Sequence, residues 1–300
     1  MRYVILSTIL FIFLLFSMCC ARFKLRVIGG KDADENKYPY IVRLEHQFKF
    51  TVQGSLVGID YMHICTGSLI TPIWTLSAAH CLTLKREQAF INLVVKPVVR
   101  FGPPNNKSTF KDILDSIEHP KFMVTQSVFN VHNDIGLVKS HAIEMNVYAR
   151  VSALDFITII GQEAELFGYG LTNKSEVIND AVTLGKPLQK LNVVVVKCNR
   201  EDFSLTPAVC VSTRCGHSAG ICPGDSGGPM LHDSGVIGVI SLGPRNVDRV
   251  CSLRLAPPTY NPAVVTPVSP YVDWISTTIN CSNQLSHFTA QVSSLVWATC

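Results

Sequence analysis

The hexapeptide Gly224-Asp225-Ser226-Gly227-Gly228-Pro229 constrains this chain more than any other stretch. Its glycines leave the serine hydroxyl uncrowded, and Pro229 stops a helix from forming behind it. Gly224 lets bare backbone approach a developing oxyanion, so the N–H groups of Gly224 and Ser226 can both donate to one. A serine hydroxyl is a poor nucleophile alone, so the motif calls for a base and a carboxylate that orients the base. Both candidates lie upstream. His80 sits in Thr75-Leu76-Ser77-Ala78-Ala79-His80-Cys81, and Asp134 in Asn133-Asp134-Ile135-Gly136-Leu137.

The order His80, Asp134, Ser226 resembles the trypsin/chymotrypsin family of serine endopeptidases. Further landmarks are similar to that family and follow in its order: Arg26-Val27-Ile28-Gly29-Gly30, Phe167-Gly168-Tyr169-Gly170, Ser241-Leu242-Gly243 and Tyr271-Val272-Asp273-Trp274-Ile275. The resemblance spans residues 27–275 and implies an all-β fold: two six-stranded antiparallel β-barrels closed by a C-terminal helix, with the site between them. The first barrel would take about 27–145 and the second about 146–275, with the crossover near Ala142–Ser152. Gly224-x-Ser226-x-Gly228 also fits the nucleophile elbow of lipases and esterases. That elbow needs a helix straight after the serine and a histidine downstream. Gly227, Gly228, Pro229 and Gly235 oppose the helix, and only His232 and His287 follow.

By resemblance, Ser226 is the nucleophile, His80 its base, Asp134 the orienting carboxylate and Ser241 a support for Asp134, with an oxyanion hole at Gly224 and Ser226. Activation would follow cleavage after Arg26, when the new Val27 ammonium pairs with Asp225. Gly220 stands where a trypsin carries an aspartate to hold Arg or Lys, and Ile221, Ser241, Gly243 and Ala263 would line the rest of the pocket. Burying an unpaired cation there is costly, so cleavage after apolar residues is expected. Self-activation at Arg26 is then disfavoured, which implies a separate trypsin-like activating protease. Pro223 and the loop Pro244–Val250 depart from the family pattern. The alternative class is a non-catalytic homologue that binds proteins as a cofactor or decoy; the intact trio of His80, Asp134 and Ser226 speaks against it.

The first 21 residues have the pattern of a secretory signal: Arg2, an apolar run from Val4 to Phe16, then small residues up to Ala21. The run is shorter than the roughly 20 residues a membrane-spanning helix needs. Residues 22–26 would form a propeptide. The formal charge of +4 vanishes without Arg2, Arg22, Lys24 and Arg26, since 26 − 4 = 22 basic residues then face 22 acidic ones. No nucleic-acid partner is implied. The expected partners are a polypeptide substrate, the activating protease and protein protease inhibitors.

Eleven cysteines suit an oxidising, extracellular compartment. The resemblance implies the bridges Cys65–Cys81, Cys198–Cys210 and Cys222–Cys251, while Ala164 and His232 occupy both ends of another bridge common in the family. Two of Cys215, Cys281 and Cys300 can pair; the third is free, bonded to another chain, or matched to Cys20 if the signal is cut earlier. No Cys-x-x-Cys pair follows residue 20, so no zinc site is expected. Leu93–Gly102, taken as the family's calcium loop, lacks paired carboxylates, so neither a metal nor another cofactor is expected. Glycosylation sequons at Asn106, Asn173 and Asn280 mark expected surface loops.

Short β-rich runs recur at Thr51–Val57, Phe90–Val95, Leu191–Val196 and Gly235–Leu242. Val272, Ile275 and Ile279 recur at helical spacing after Pro270. Residues 276–300 would hold the end of this helix and a cysteine-containing tail outside the resemblance. His46, His63, His119, His132, His141, His217, His232 and His287 are expected to be surface or satisfied core histidines.

Overall fold

The computed structural model describes residues 30–82, 88–103, 109–124, 131–170, 187–198, 207–213, 220–243 and 263–289, with side chains as far as residue 282. Its first strands are β1 (Lys31–Asp32), β2 (Ile41–Val52), β3 (Ser55–Thr71), β4 (Trp74–Ser77), β5 (Gln88–Phe90), β6 (Leu93–Phe101) and β7 (Thr109–Glu118). There follow β8 (Met123–Val124), β9 (Val131–His132), β10 (Gly136–Ser140), β11 (Glu163–Gly168) and β12 (Gln189–Val196). The last are β13 (Val209–Ser212), β14 (Pro229–His232), β15 (Gly235–Leu242) and β16 (Ala263–Pro267), before helix α1 (Val272–Thr289).

β-Branched residues build both sheets, because their stiff side chains fit a pleated, buried surface. Val98 and Val99 in β6, and Val236, Val239 and Ile240 in β15, are almost wholly buried. In the first sheet β2, β3, β4, β10, β7 and β6 follow one another, and β6 pairs back onto β2. Six strands thus form a closed barrel, with β5 added on β6. In the second sheet β12, β11, β14, β15, β16 and β13 close the same way through β12–β13. The expected pair of six-stranded antiparallel barrels is therefore present. β1 lies within the span assigned to the first barrel, yet it pairs with β12 of the second. Around it, Ala33, Tyr38, Ile41, Phe167, Tyr169 and Leu188 pack as one buried cluster.

Two expected strands are hairpins instead. Thr51–Val57 is interrupted at Gln53-Gly54, where φ is 51° and 79°. Two successive positive φ values suit the right-handed twist of a two-residue hairpin. Phe90–Val95 is likewise split at Ile91-Asn92, with φ 63° at Asn92. Leu93–Gly102, expected to be a calcium loop, is almost wholly strand β6, its apolar residues held between β2 and β7. Leu191–Val196 falls inside β12, and Gly235–Leu242 matches β15.

α1 begins after a 3-10 turn at Ser269–Tyr271 that contains Pro270. Its inner face buries Ile275 and sets Val272, Trp274 and Ile279 against the first-barrel core. Asp273 in its first turn complements the positive end of the helix dipole. Asn280 is exposed but lies within this helix, not in the loop its sequon suggested.

Candidate active site

His80 sits in a one-turn 3-10 helix, Ala79–Cys81, directly after β4. The Cys65–Cys81 disulfide ties that turn to β3. Asp134 precedes β10, which pairs with β4, so strand register brings the two side chains together. His80 Nδ1 lies 2.7 Å from Asp134 Oδ2, and the His80 backbone N–H donates to Oδ1 at 2.9 Å. Ser241, at the end of β15 in the second barrel, donates its hydroxyl to the same Oδ2. A carboxylate only 2 % exposed thus accepts three hydrogen bonds drawn from both barrels.

This arrangement sets the charge states. Burial lowers the pKa of His80, but the charge and hydrogen bond of Asp134 outweigh it and hold the pKa above its ordinary value. Burial raises the pKa of Asp134, while the charge of His80 and the bonds from His80 and Ser241 bring it below the usual carboxylate value. The ring is 30 % exposed, so its outer face remains open to a proton donor.

The loop that carries Ser226 is held against the first barrel. Thr66 on β3 donates its N–H to Ser226 O at 2.8 Å and its hydroxyl to Gly224 O at 2.8 Å. His63 Nε2 also bonds Gly224 O, at 3.0 Å. A side chain at Gly227 would meet Ser77 Oγ at 2.1 Å and Ala78 N at 3.2 Å, so this glycine permits contact with the residues just before His80. Asp225 is buried and accepts the N–H groups of Gly170 at 2.7 Å and Cys222 at 2.8 Å. Among the described residues the N–H groups of Gly224 and Ser226 have no acceptor, and no hydrogen bond joins Ser226 Oγ to His80 Nε2. His80 Nε2 lies 3.7 Å from Cys81 Sγ.

The remaining expected residues are placed as follows. Ile221 and Ala263 pack in the second-barrel core, Gly220 is buried and Gly243 half-buried. Cys198–Cys210 is formed, and Cys222 is disulfide-bonded. Arg26, Val27, Cys251, Asn106 and Asn173 lie outside the described residues. Cys65, His80 and Cys81 have their donor atoms within 4.8 Å of one another, a spacing that suits a metal. Their sulfurs are joined in a disulfide, which removes the thiolates a metal would need. A cleft of about 730 Å³ lined by Lys37, Tyr38, Arg150, Glu163 and His232 contains none of the expected site residues.

Sequence reasoning missed four supporting side chains. Thr66 and His63 anchor the Gly224 carbonyl, and Ser77 Oγ donates to Thr66 O at 2.9 Å. Tyr271, at the foot of α1, donates to Asn133 Oδ1 at 3.0 Å beside Asp134. His63 is indeed a core histidine, but its bond reaches the loop that carries Ser226. Proximity in sequence to Cys65, His80 and Asp134 was the available signal.

The family model described as Trypsin matches residues 27–275. Granzyme M of Homo sapiens is 28% identical over 265 residues, covering 84% of this chain and 89% of that protein. A trypsin of Phaedon cochleariae is 27% identical over 262 residues, covering 84% of this chain and 88% of the relative. Granzyme M of Rattus norvegicus is 26% identical over 266 residues, with 85% and 89% covered. A match that runs through both barrels and into the closing helix identifies the lineage: this chain belongs to the trypsin/chymotrypsin-like serine proteases, hydrolases that act on polypeptides.

Proposed function

We propose that the protein is a secreted serine endopeptidase, made as an inactive precursor and activated by cleavage after Arg26. Ser226 Oγ attacks the scissile carbonyl carbon while His80 Nε2 takes the hydroxyl proton. The tetrahedral oxyanion accepts the N–H groups of Gly224 and Ser226. His80 then returns the proton to the leaving amine, and water repeats the sequence to free the acyl group. Asp134 keeps Nδ1 protonated and stabilises the imidazolium, and Ser241 steadies Asp134. The observation that carries this proposal is a pair of backbone donors on one loop with no acceptor among the described residues, together with an imidazole bonded to a buried carboxylate. Such donors act on charge that appears only in the transition state.

Four finer statements belong to the proposal. The Val27 ammonium, once freed, pairs with Asp225 and orders the loop, so activity fades above the amine's reference pKa of about 8. Gly220 and the apolar Ile221 and Ala263 favour apolar residues before the cleaved bond. A separate protease with Arg specificity performs the activation. Glycans at Asn106, Asn173 and Asn280 and protein inhibitors of the mature enzyme accompany the secreted state.

The test is a peptide-library profile of protein cleaved after Arg26, run beside Ser226→Ala. The expected result is cleavage after Leu, Met or Phe that the substitution abolishes. A profile dominated by Arg and Lys would overturn the specificity. Arg26→Gln protein that trypsin still activates fully would overturn the activation step. The lack of a bond between Ser226 Oγ and His80 Nε2 favours a second reading, a non-catalytic homologue that binds proteins as a cofactor or decoy. Catalytic hydrogen bonds in unliganded enzymes are commonly long and tighten with substrate. A decoy would give no cleavage under any of these conditions.

A further inference from the structure

His80 and Cys81 share one turn of 3-10 helix, and the bridge from Cys81 runs to Cys65 on β3. Neither end relies on the bridge alone for its position. Cys65 pairs with Leu44 of β2 within the first-barrel sheet. The turn is closed by the Cys81 and Leu82 N–H groups, which donate to Ala78 O at 3.2 Å and Ala79 O at 2.9 Å. The His80 N–H donates to Asp134 Oδ1 at 2.9 Å. Opening the bridge therefore presents two thiols to one imidazole, on backbone that other bonds hold.

This trio suits zinc in its spacing, its donor set and its surroundings. The two sulfurs and a ring nitrogen of His80 lie within 4.8 Å of one another. His80 Nε2 is 3.7 Å from Cys81 Sγ. Zinc bonds of about 2.3 Å to sulfur and 2.0–2.1 Å to nitrogen put two tetrahedral ligands roughly 3.6 Å apart. The Cα atoms of Cys65 and Cys81 are 6.1 Å apart, so modest side-chain rotation brings both sulfurs to one ion. Thiolate and imidazole favour zinc, whereas magnesium and calcium keep to oxygen ligands. His80 Nδ1 also bonds Asp134 Oδ2 at 2.7 Å, and Ser241 donates to that same oxygen. Histidines on zinc almost always give their second ring nitrogen to such a carboxylate, which fixes the tautomer and strengthens the ligand.

We propose that reduction of the Cys65–Cys81 bridge converts Cys65, Cys81 and His80 into a zinc site that switches the protease off. The switching rests on the reading of His80 as the base. A dithiol supplies two electrons and two protons: the S–S bond breaks, two thiols form, and the dithiol closes to its own disulfide. Zn²⁺ then displaces both thiol protons to solvent and takes the lone pair of His80 Nε2, while Nδ1–H stays on Asp134. The two thiolates balance the charge of the ion, and a water fills the fourth position. The ring is 30 % exposed, which gives the ion a way in. The nitrogen that accepts the Ser226 proton is then occupied. An oxidising compartment keeps the bridge closed and the enzyme active; a reducing one that contains zinc silences it.

The experiment uses full-length Ser226→Ala protein, which cannot digest itself. It is reduced with a dithiol, desalted without oxygen and titrated with Co²⁺ as a spectroscopic substitute for zinc. The expected result is one Co²⁺ per chain with thiolate-to-metal absorption, seen only after reduction. The signal is lost in Cys65→Ser/Cys81→Ser, and affinity falls about 10–100-fold in Asp134→Asn. Zinc at 100 times its dissociation constant should raise the Tm of the reduced form by about 5–10 °C and leave the oxidised form unmoved. In protein cleaved after Arg26 and then reduced, the same zinc should cut peptide cleavage about 100-fold, and a chelator should restore it. A cobalt signal unchanged in the cysteine pair or in Asp134→Asn belongs to other cysteines and overturns the proposal. Reduced protein that unfolds and is not restored by zinc also overturns it. Metal held at the site with undiminished cleavage overturns His80 as base and leaves the site standing. Oxidised protein that cleaves nothing overturns the endopeptidase reading, while the cobalt titration still decides the site.

Discussion

Thr66→Val tests how the loop that carries Ser226 is held. Valine keeps the branched shape, so packing changes little, while two hydrogen bonds disappear at a fully buried position. The hydroxyl donates to Gly224 O at 2.8 Å and accepts the Tyr169 N–H at 3.1 Å. Each bond is worth about 1 kcal/mol net, and the orphaned Tyr169 N–H adds about 1–2 kcal/mol. The sum is about 3–4 kcal/mol of stability, or about 6–16 °C in Tm for a domain of this size. Thr75→Val is the control. Thr75 is equally buried on the neighbouring strand, but its Oγ1 has no hydrogen-bond partner among the described residues. Removing that hydroxyl relieves an unmet desolvation cost, so Thr75→Val should be neutral or stabilising by about 1 kcal/mol. Differential scanning calorimetry reads both. Thr66→Val should also slow acylation of Ser226 about tenfold, because the Gly224 carbonyl keeps only His63. Equal Tm changes in the two variants would refute the reasoning.

Further predictions follow from the His80–Asp134 pair and the disulfide. The acid limb of kcat/KM should lie above pH 6.5, because Asp134 raises the pKa of His80 and catalysis needs the neutral imidazole. Asp134→Asn should move that limb to lower pH and cut kcat by about 10³–10⁴-fold; an unmoved limb would contradict the assignment. Asp134, with its pKa depressed below 3.8, stabilises the fold above that pH and loses this contribution as pH falls through the folded value. Acid unfolding of Asp134→Asn, followed by circular dichroism, should be correspondingly less steep. Ser241→Ala removes a bond to a buried charge, worth about 1.5–3 kcal/mol, and should lower kcat/KM at least tenfold in steady-state assays. Cys65→Ala/Cys81→Ala opens a 16-residue loop and should cost about 3 kcal/mol, measured by denaturant titration.

The barrels and the site differ in how much of them the sequence revealed. Strands such as β12 and β15 were legible because their β-branched runs end at turn residues. The hairpins at Gln53-Gly54 and Ile91-Asn92 were not, because each turn is flanked on both sides by residues that also favour strand. Pairing within a sheet depends on register between distant segments, which no local window contains. The local motifs marked His80, Asp134 and Ser226 as candidates, and the structure brings His80 and Asp134 into contact. Thr66 and His63 were not, because their role comes from a carbonyl about 160 positions away in sequence.

The most direct measurement is covalent labelling by a serine-directed phosphonate before and after cleavage at Arg26, with the adduct mapped by mass spectrometry. One adduct per chain is predicted, on Ser226, formed only after cleavage and lost in His80→Ala. An unlabelled cleaved protein, or an adduct on any other residue, would contradict the account.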